Sequence, residues 1–153
     1  IHSYNHETAG IGIAEEFIKR LTNEKELLSY VSNMTRLHMK PYVMINAGSS
    51  VKSMNRLFDE SIAPEDLIYL SSCDNFSRHT EVQTQLFEKY EIYKEYMSRP
   101  FVQGRDLIEA GLTPGEDFSE ILAFAHKLRL AGESKSSALK QCVSYAGKKR
   151  KNK

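Results

Sequence analysis

The stretch "TNEKELLSYVSNMTRLHM", residues 22–39, decides the fold class. Its apolar positions Leu27, Leu28, Val31, Met34 and Leu37 recur at three and four, the period of one helix face. Asn23 stands three residues ahead of Glu26, the form of a capping box. Pro41 then ends the helix, because it lacks an N–H and its ring clashes with the preceding turn.

The same period extends in both directions. Upstream, Ile11, Ala14, Phe17, Ile18 and Leu21 share a face, with Glu15, Glu16, Lys19 and Arg20 largely opposite. Downstream, "YVMINAGSS" (42–50) reads as a loop, followed by a short helix from about Ser50 to Glu60. In "APEDLIYLSSCDNF" (63–76), Pro64 takes a first helical position with acidic residues behind it. Residues 79–98 read as one long helix carrying Val82, Leu86, Tyr90, Tyr93 and Met97. Tyr90, Tyr93 and Tyr96, three apart, are expected to pack rather than to stack on bases. "GRDLIEAG" (104–111) is a short helix closed by Gly111. "TPGEDFSEILAFAHKLRLAG" (113–132) places Glu116 and Asp117 in a first turn, and "SKSSALKQCVSYAG" (134–147) ends on Gly147. No stretch of useful length alternates with period two, so the fold is expected to be all-α. Pro100 and Gly104 divide a larger helical unit, 1–98, from an appended one, 99–147, and the basic residues 148–153 read as a disordered tail.

Composition narrows the function. With 41% apolar and 27% charged residues, the chain is an ordinary globular one. No apolar run reaches the roughly 18–20 residues of a membrane span, so no membrane partner is expected. Cys73 and Cys142 lack metal-type spacing, which suggests a reduced, cytoplasmic setting. Net charge is +1, yet five of the 21 Lys and Arg fall in "GKKRKNK". That cluster reads as a solvated terminus, or as a small contribution to binding RNA phosphates.

Three polar residues sit at helix ends among apolar neighbours: His6, His38 and Asp74. Imidazole and carboxylate suit a divalent ion. Separations of 32 and 36 residues form no local metal motif, so spacing alone reads them as caps or satisfied core groups. His2, His79 and His126 have no evident partners. Gly48-Ser49 is not followed by the paired aspartates that nucleotidyl transfer would need for its metal ions.

Together, "NHETAG" (5–10), "AEEFIKRLTNEKELLSYV" (14–31), "LHMKPY" (37–42), "NRLFDE" (55–60) and "PEDLIYLSSCDNFSR" (64–78) form a recognisable set. They resemble the second half of an HD-domain metal-dependent phosphohydrolase, and most closely the HD region of bacterial tRNA nucleotidyltransferases of the CCA-adding, poly(A)-polymerase-like kind. "PFVQGRDLIEAGLTPGEDFSEILAFAHKLRLAG" (100–132) resembles the segment that follows that region. The resemblance implies a partial HD-like helical bundle with an appended helical segment. It makes His6 and His38 intermediate histidine ligands of a divalent metal ion and Asp74 the late aspartate ligand. It makes Arg56 and Arg78 phosphate contacts, although Asn55-Arg56 replaces the family's paired arginines and Ser77-Arg78 its Gly-Arg. The family's early His and His-Asp doublet have no counterpart here. The chain is therefore expected to be the C-terminal piece of a longer protein acting on tRNA 3′ ends or nucleotide phosphoesters. By itself it should carry no catalytic residue and have no robust phosphohydrolase activity. The alternative is a non-catalytic helical module for RNA binding or oligomerisation.

Overall fold

The computed structural model describes residues 6–74 and 80–151, with the side chains of all of these but Glu7, Thr80, Arg150 and Lys151. Among the described residues there are nine helices and no strand, so the fold is all-α. The chain divides into two compact units, Ile1–Glu95 and Tyr96–Lys153.

The first unit opens with a helical hairpin. Helix α1 (His6–Leu21) and helix α2 (Lys25–Leu37) are joined by three residues, too few for anything but antiparallel neighbours. Asn23 is not the cap; α2 begins at Lys25, with Glu24 before it and the Thr22 hydroxyl accepting the Glu24 N–H at 3.2 Å. Cross-hairpin pairs lie nearly equidistant from the turn. A Cβ on Gly10 would meet Thr35 Cγ2 at 3.4 Å, and Ser32 Oγ donates to Glu15 Oε1 at 3.0 Å.

Only part of the expected apolar face of α1 is used. Ile11, Ala14 and Ile18 are half-buried, whereas Ile13, Phe17 and Leu21 are exposed, at 70%, 51% and 69%. Gly12 lies mid-helix, exposed, with open space where a Cβ would go. Gly12→Ala is therefore expected to raise stability by about 0.5–1 kcal/mol, by removing backbone freedom from the unfolded chain. Denaturant unfolding checks this; a loss of stability would mean the outer face of α1 is covered.

Pro41 does not end helical structure. It sits at the start of α3 (Lys40–Asn46), which runs into the segment 42–50 expected to be a loop, and its missing N–H there would have had no helical partner anyway. Gly48, at φ 61°, closes α3, with Ser49 N–H reaching back to Met44 O at 2.9 Å. Helix α4 (Val51–Glu60) is capped by Ser50, whose Oγ accepts the Ser53 N–H at 3.3 Å. Helix α5 (Pro64–Asp74) begins on Pro64 with Glu65 and Asp66 in its first turn, as expected. Helix α6 (Thr80–Ser98) matches the long helix of the sequence reading.

Two buried clusters hold this unit. Met34 and Leu37 of α2 meet Leu57 of α4 and Leu67 of α5. Met54 and Phe58 of α4 meet Ile68 of α5 and Val82 and Leu86 of α6. Asn33 ties α2 to the α4–α5 connection, donating to Glu60 O at 2.9 Å and accepting from Ile62 N at 3.1 Å.

The second unit contains α7 (Gly104–Glu109), α8 (Phe118–Leu130) and α9 (Lys135–Lys151). Its core joins Val102, Leu107, Ile121, Ala125, Ala138, Cys142 and Ala146. Asp106 is the hinge of this packing: its carboxylate takes Lys135 Nζ at 2.8 Å and the Gln103 N–H at 2.7 Å. Lys135, then Gln103, hold that carboxyl below its usual range. Glu116 and Asp117 precede α8 instead of occupying its first turn, where Glu120 stands. Gly147 does not terminate α9, and residues 148–151 are helical rather than a disordered tail. Lys and Arg are good helix formers and sit favourably at the negative end of a helix dipole.

Candidate functional site

The hairpin brings the two histidines together. His6 is the first residue of α1, and His38 caps the C-terminus of α2, donating its backbone N–H to Met34 O at 2.9 Å. Because the helices run antiparallel from a three-residue turn, the start of one lies beside the end of the other. The ring centroids are 5.4 Å apart with planes at 59°. A separation of 32 residues, meaningless as a local motif, is what a hairpin of this length converts into a neighbour pair.

His38 is oriented by the backbone. Its Nδ1 lies 2.7 Å from Thr35 O. A carbonyl can only accept, so Nδ1 carries the proton, and in the neutral ring Nε2 keeps its lone pair. Holding the distal nitrogen this way is how a metal-ligating histidine is usually set. Thr35 was not anticipated as a site residue. Its signal in the sequence is its place three residues before a histidine that ends a helix. His38 is half-buried and His6 exposed.

Asp74, the last residue of α5, is exposed. Among the described residues no three His, Cys, Asp or Glu side chains are grouped to hold a metal ion. His6 and His38 are neighbours, but His6, His38 and Asp74 are not assembled as a set of three.

Arg56 lies on the exposed side of α4, beside buried Asn55, at a surface cleft of about 140 Å³ lined also by Lys40, Ser53 and Glu60. Glu60 is engaged by Arg36 at 3.6 Å and Lys40 at 3.9 Å. Arg56 has no ion-pair partner among the described residues. The cleft thus offers a guanidinium, an ammonium and a hydroxyl to an anion, opposed by one carboxylate. Arg78 lies outside the described residues, as do His2 and His79. His126 is half-buried on α8.

Cys73 is exposed and Cys142 buried, both as thiols, and burial pushes the Cys142 thiol upward. Among the described residues no helix is long and apolar enough to cross a membrane. No family model, curated protein or solved structure matches the chain.

Proposed function

We propose that the chain is part of an HD-type metal-dependent phosphohydrolase region of a tRNA nucleotidyltransferase-like protein of the cytoplasm. Two things support the reading: the sequence resemblance and the His6–His38 juxtaposition. The juxtaposition carries it, because it puts two imidazoles of the resembled ligand set side by side, one already oriented through Nδ1. A divalent ion bound there would supply Lewis-acid polarisation of a phosphoryl oxygen and a water of lowered pKa. The residues of this chain do the positioning. Thr35 O fixes the His38 tautomer, the α1–α2 register sets the His6 approach, and Arg56 with Lys40 offers charge to a phosphate in a bidentate-capable form. The resemblance adds Asp74 as a third ligand of the ion and Arg78 as a further phosphate contact. The substrate class is a phosphoester of tRNA or of a nucleotide.

Titration of the protein with Co²⁺ or Ni²⁺, followed by imidazole NMR signals, tests the pair. Both histidines are expected to respond at a single stoichiometric step. His38→Ala is expected to abolish the His6 response and weaken binding at least tenfold, within the range seen when metal ligation is disturbed. A His6 response that survives His38→Ala unchanged would overturn a shared site.

A further inference from the structure

Helix α1 carries an apolar row on its outer side. With Phe17 as the centre, Ile13 and Leu21 lie about 40° to either side of it and about 6 Å before and after it along the helix. Phe17 is 51% exposed, Ile13 70% and Leu21 69%. The hairpin contact lies elsewhere: Ile11, Glu15 and Ile18 are half-buried, about 100–160° round the helix, where Glu15 meets Ser32 of α2. A single exposed leucine is ordinary, but three large apolar side chains in one exposed row mark an interaction surface.

One flank of the row bears two charges of opposite sign. Glu16 and Arg20 are exposed and lie on the same side of Phe17, about 100° and 60° from it. Four residues apart with the acid first, they have the spacing and order that favour pairing within a helix. They do not pair. Arg20 lies over the Phe17 ring at 5.5 Å, and Glu16 has no ion-pair partner among the described residues. Glu15 and Lys19, spaced in the same way on the same helix, do meet, at 3.2 Å.

A row laid out in this way is its own complement. Set a second α1 antiparallel to the first, about a two-fold axis at Phe17. Phe17 then meets its copy, and Ile13 comes level with the partner's Leu21 at both ends of the contact. A two-fold axis perpendicular to both helices keeps each flank on its own side. Glu16 therefore comes within about 3 Å, along the axis, of the partner's Arg20, and the pair is made twice. A hollow over Gly10 and Ala14, bordered by Ile13 and Phe17, gives the partner's Leu21 a seat. A segment of different sequence would have no reason to match the order of residues in α1 reversed.

We propose that the outer face of α1 is a docking surface for a second copy of this chain, joined antiparallel through Ile13, Phe17 and Leu21 with Glu16 and Arg20 paired across the contact. An anionic membrane is the less suitable partner. A helix lying in a lipid interface presents an excess of Lys and Arg, whereas α1 has Glu7, Glu15 and Glu16 against Lys19 and Arg20. One helix against one helix buries less than the roughly 800 Å² per partner of a standard interface, so the dimer is a weak one, with Kd on the order of 10⁻⁵ M. The inference goes beyond the metal reading and does not depend on the histidine pair.

Sedimentation velocity of the whole chain, from about 3 to 300 µM, tests it, and a reversible monomer–dimer equilibrium is expected within that range. Phe17→Asp should weaken association at least about thirtyfold, because it brings two carboxylates to the two-fold axis. Phe17→Ala serves if that variant loses helix content, with a loss of about fivefold to tenfold. Glu16→Arg alone and Arg20→Glu alone should each weaken association about fivefold by setting like charges across the contact. The two changes combined should return it to within about threefold of the starting value. That rescue reports the antiparallel register, since a merely adhesive strip would not respond to the order of its charges. His38→Ala should leave the equilibrium unchanged, so failure of the metal reading and failure of this one are separable. Three results would each overturn the proposal. They are a chain still monomeric at the highest concentration, whether free or bound to phosphatidylglycerol vesicles, a dimer that survives Phe17→Asp, and a combined charge reversal no better than its single changes.

Discussion

Arg129→Ala is expected to cost the second unit about 3 kcal/mol, among the larger effects available to a single half-exposed side chain. Arg129 Nη2 donates to three carbonyls, Tyr96 O at 3.1 Å, Met97 O at 2.6 Å and Arg99 O at 2.6 Å. These are carbonyls at the C-terminal end of α6 and just beyond it, groups that a helix leaves without partners. The guanidinium also lies over the Phe101 ring at 5.4 Å and the Tyr96 ring at 5.9 Å, while Tyr96 Oη donates to Glu133 O at 2.6 Å. One side chain thus fastens residues 96–99 to the end of α8 within the second unit. Alanine would leave Met97 O and Arg99 O short of a donor, at about 1–3 kcal/mol for each one that water cannot reach, and would remove the guanidinium from the two rings, while Tyr96 O keeps the Arg99 N–H at 3.4 Å. Solvent will recover some of them, which keeps the total near the lower end. Arg129→Lys should restore only part, because an ammonium keeps the charge but loses the planar stacking on two rings. Amide hydrogen exchange in α8 and α9 is the measurement. About a hundredfold faster exchange is expected for alanine, and a change below threefold would show that the three bonds are not held in solution.

None of this hub was legible in the sequence. Arg129 sits in "LRLAG" as an ordinary last-turn cation, and its partners are backbone carbonyls some 30 residues away. What was legible was whatever depends on local period and local chemistry. The face of α2, the extent of α4, Pro64 at the start of α5 and the length of α6 all follow from near neighbours. The errors share one cause. Pro41 can stop a helix or begin one, and only the chain on both sides decides. Asn23 could cap α2, but Thr22 and Glu24 take the turn. Gly147 could end α9, yet the Lys and Arg beyond it are strong enough helix formers to carry the helix to Lys151. Phe17 and Leu21 have the period of a buried face, but α2 is narrow and covers only one side of α1.

The candidate site divides in the same way. His6 and His38 were singled out as residue types at helix ends. Their proximity follows from the hairpin, whose three-residue connection could have been turned into a register before any coordinates. Thr35 as the acceptor for His38 needed that geometry. Asp74 and Arg56 lie on helices whose placement depends on the buried clusters, and no period in the sequence reports it.

Those clusters make Phe58 the most consequential single residue of the first unit. Phe58 is 1% exposed and packs beneath the rings of Tyr90, at 5.2 Å, and Tyr93, at 5.5 Å. Phe58→Ala removes a buried ring from between α4, α5 and α6, for an expected cost of about 3–5 kcal/mol. Domains of this size are stable by only about 5–15 kcal/mol in all. Phe58→Leu keeps most of the volume and loses the ring pairing, so roughly 1–2 kcal/mol is expected. The effect should reach the histidine pair although Phe58 touches neither ring. Its neighbour Leu57 belongs to the other cluster, with Met34 and Leu37 of α2, the helix that ends in His38. Helix α4 therefore joins the two clusters, and loosening one frees the other. Denaturant unfolding gives the stability change, and the imidazole NMR signals of His6 and His38 give its reach. Loss of stability with both signals undisturbed would show that the hairpin holds its end without α4, and that the pair is set by the α1–α2 register alone.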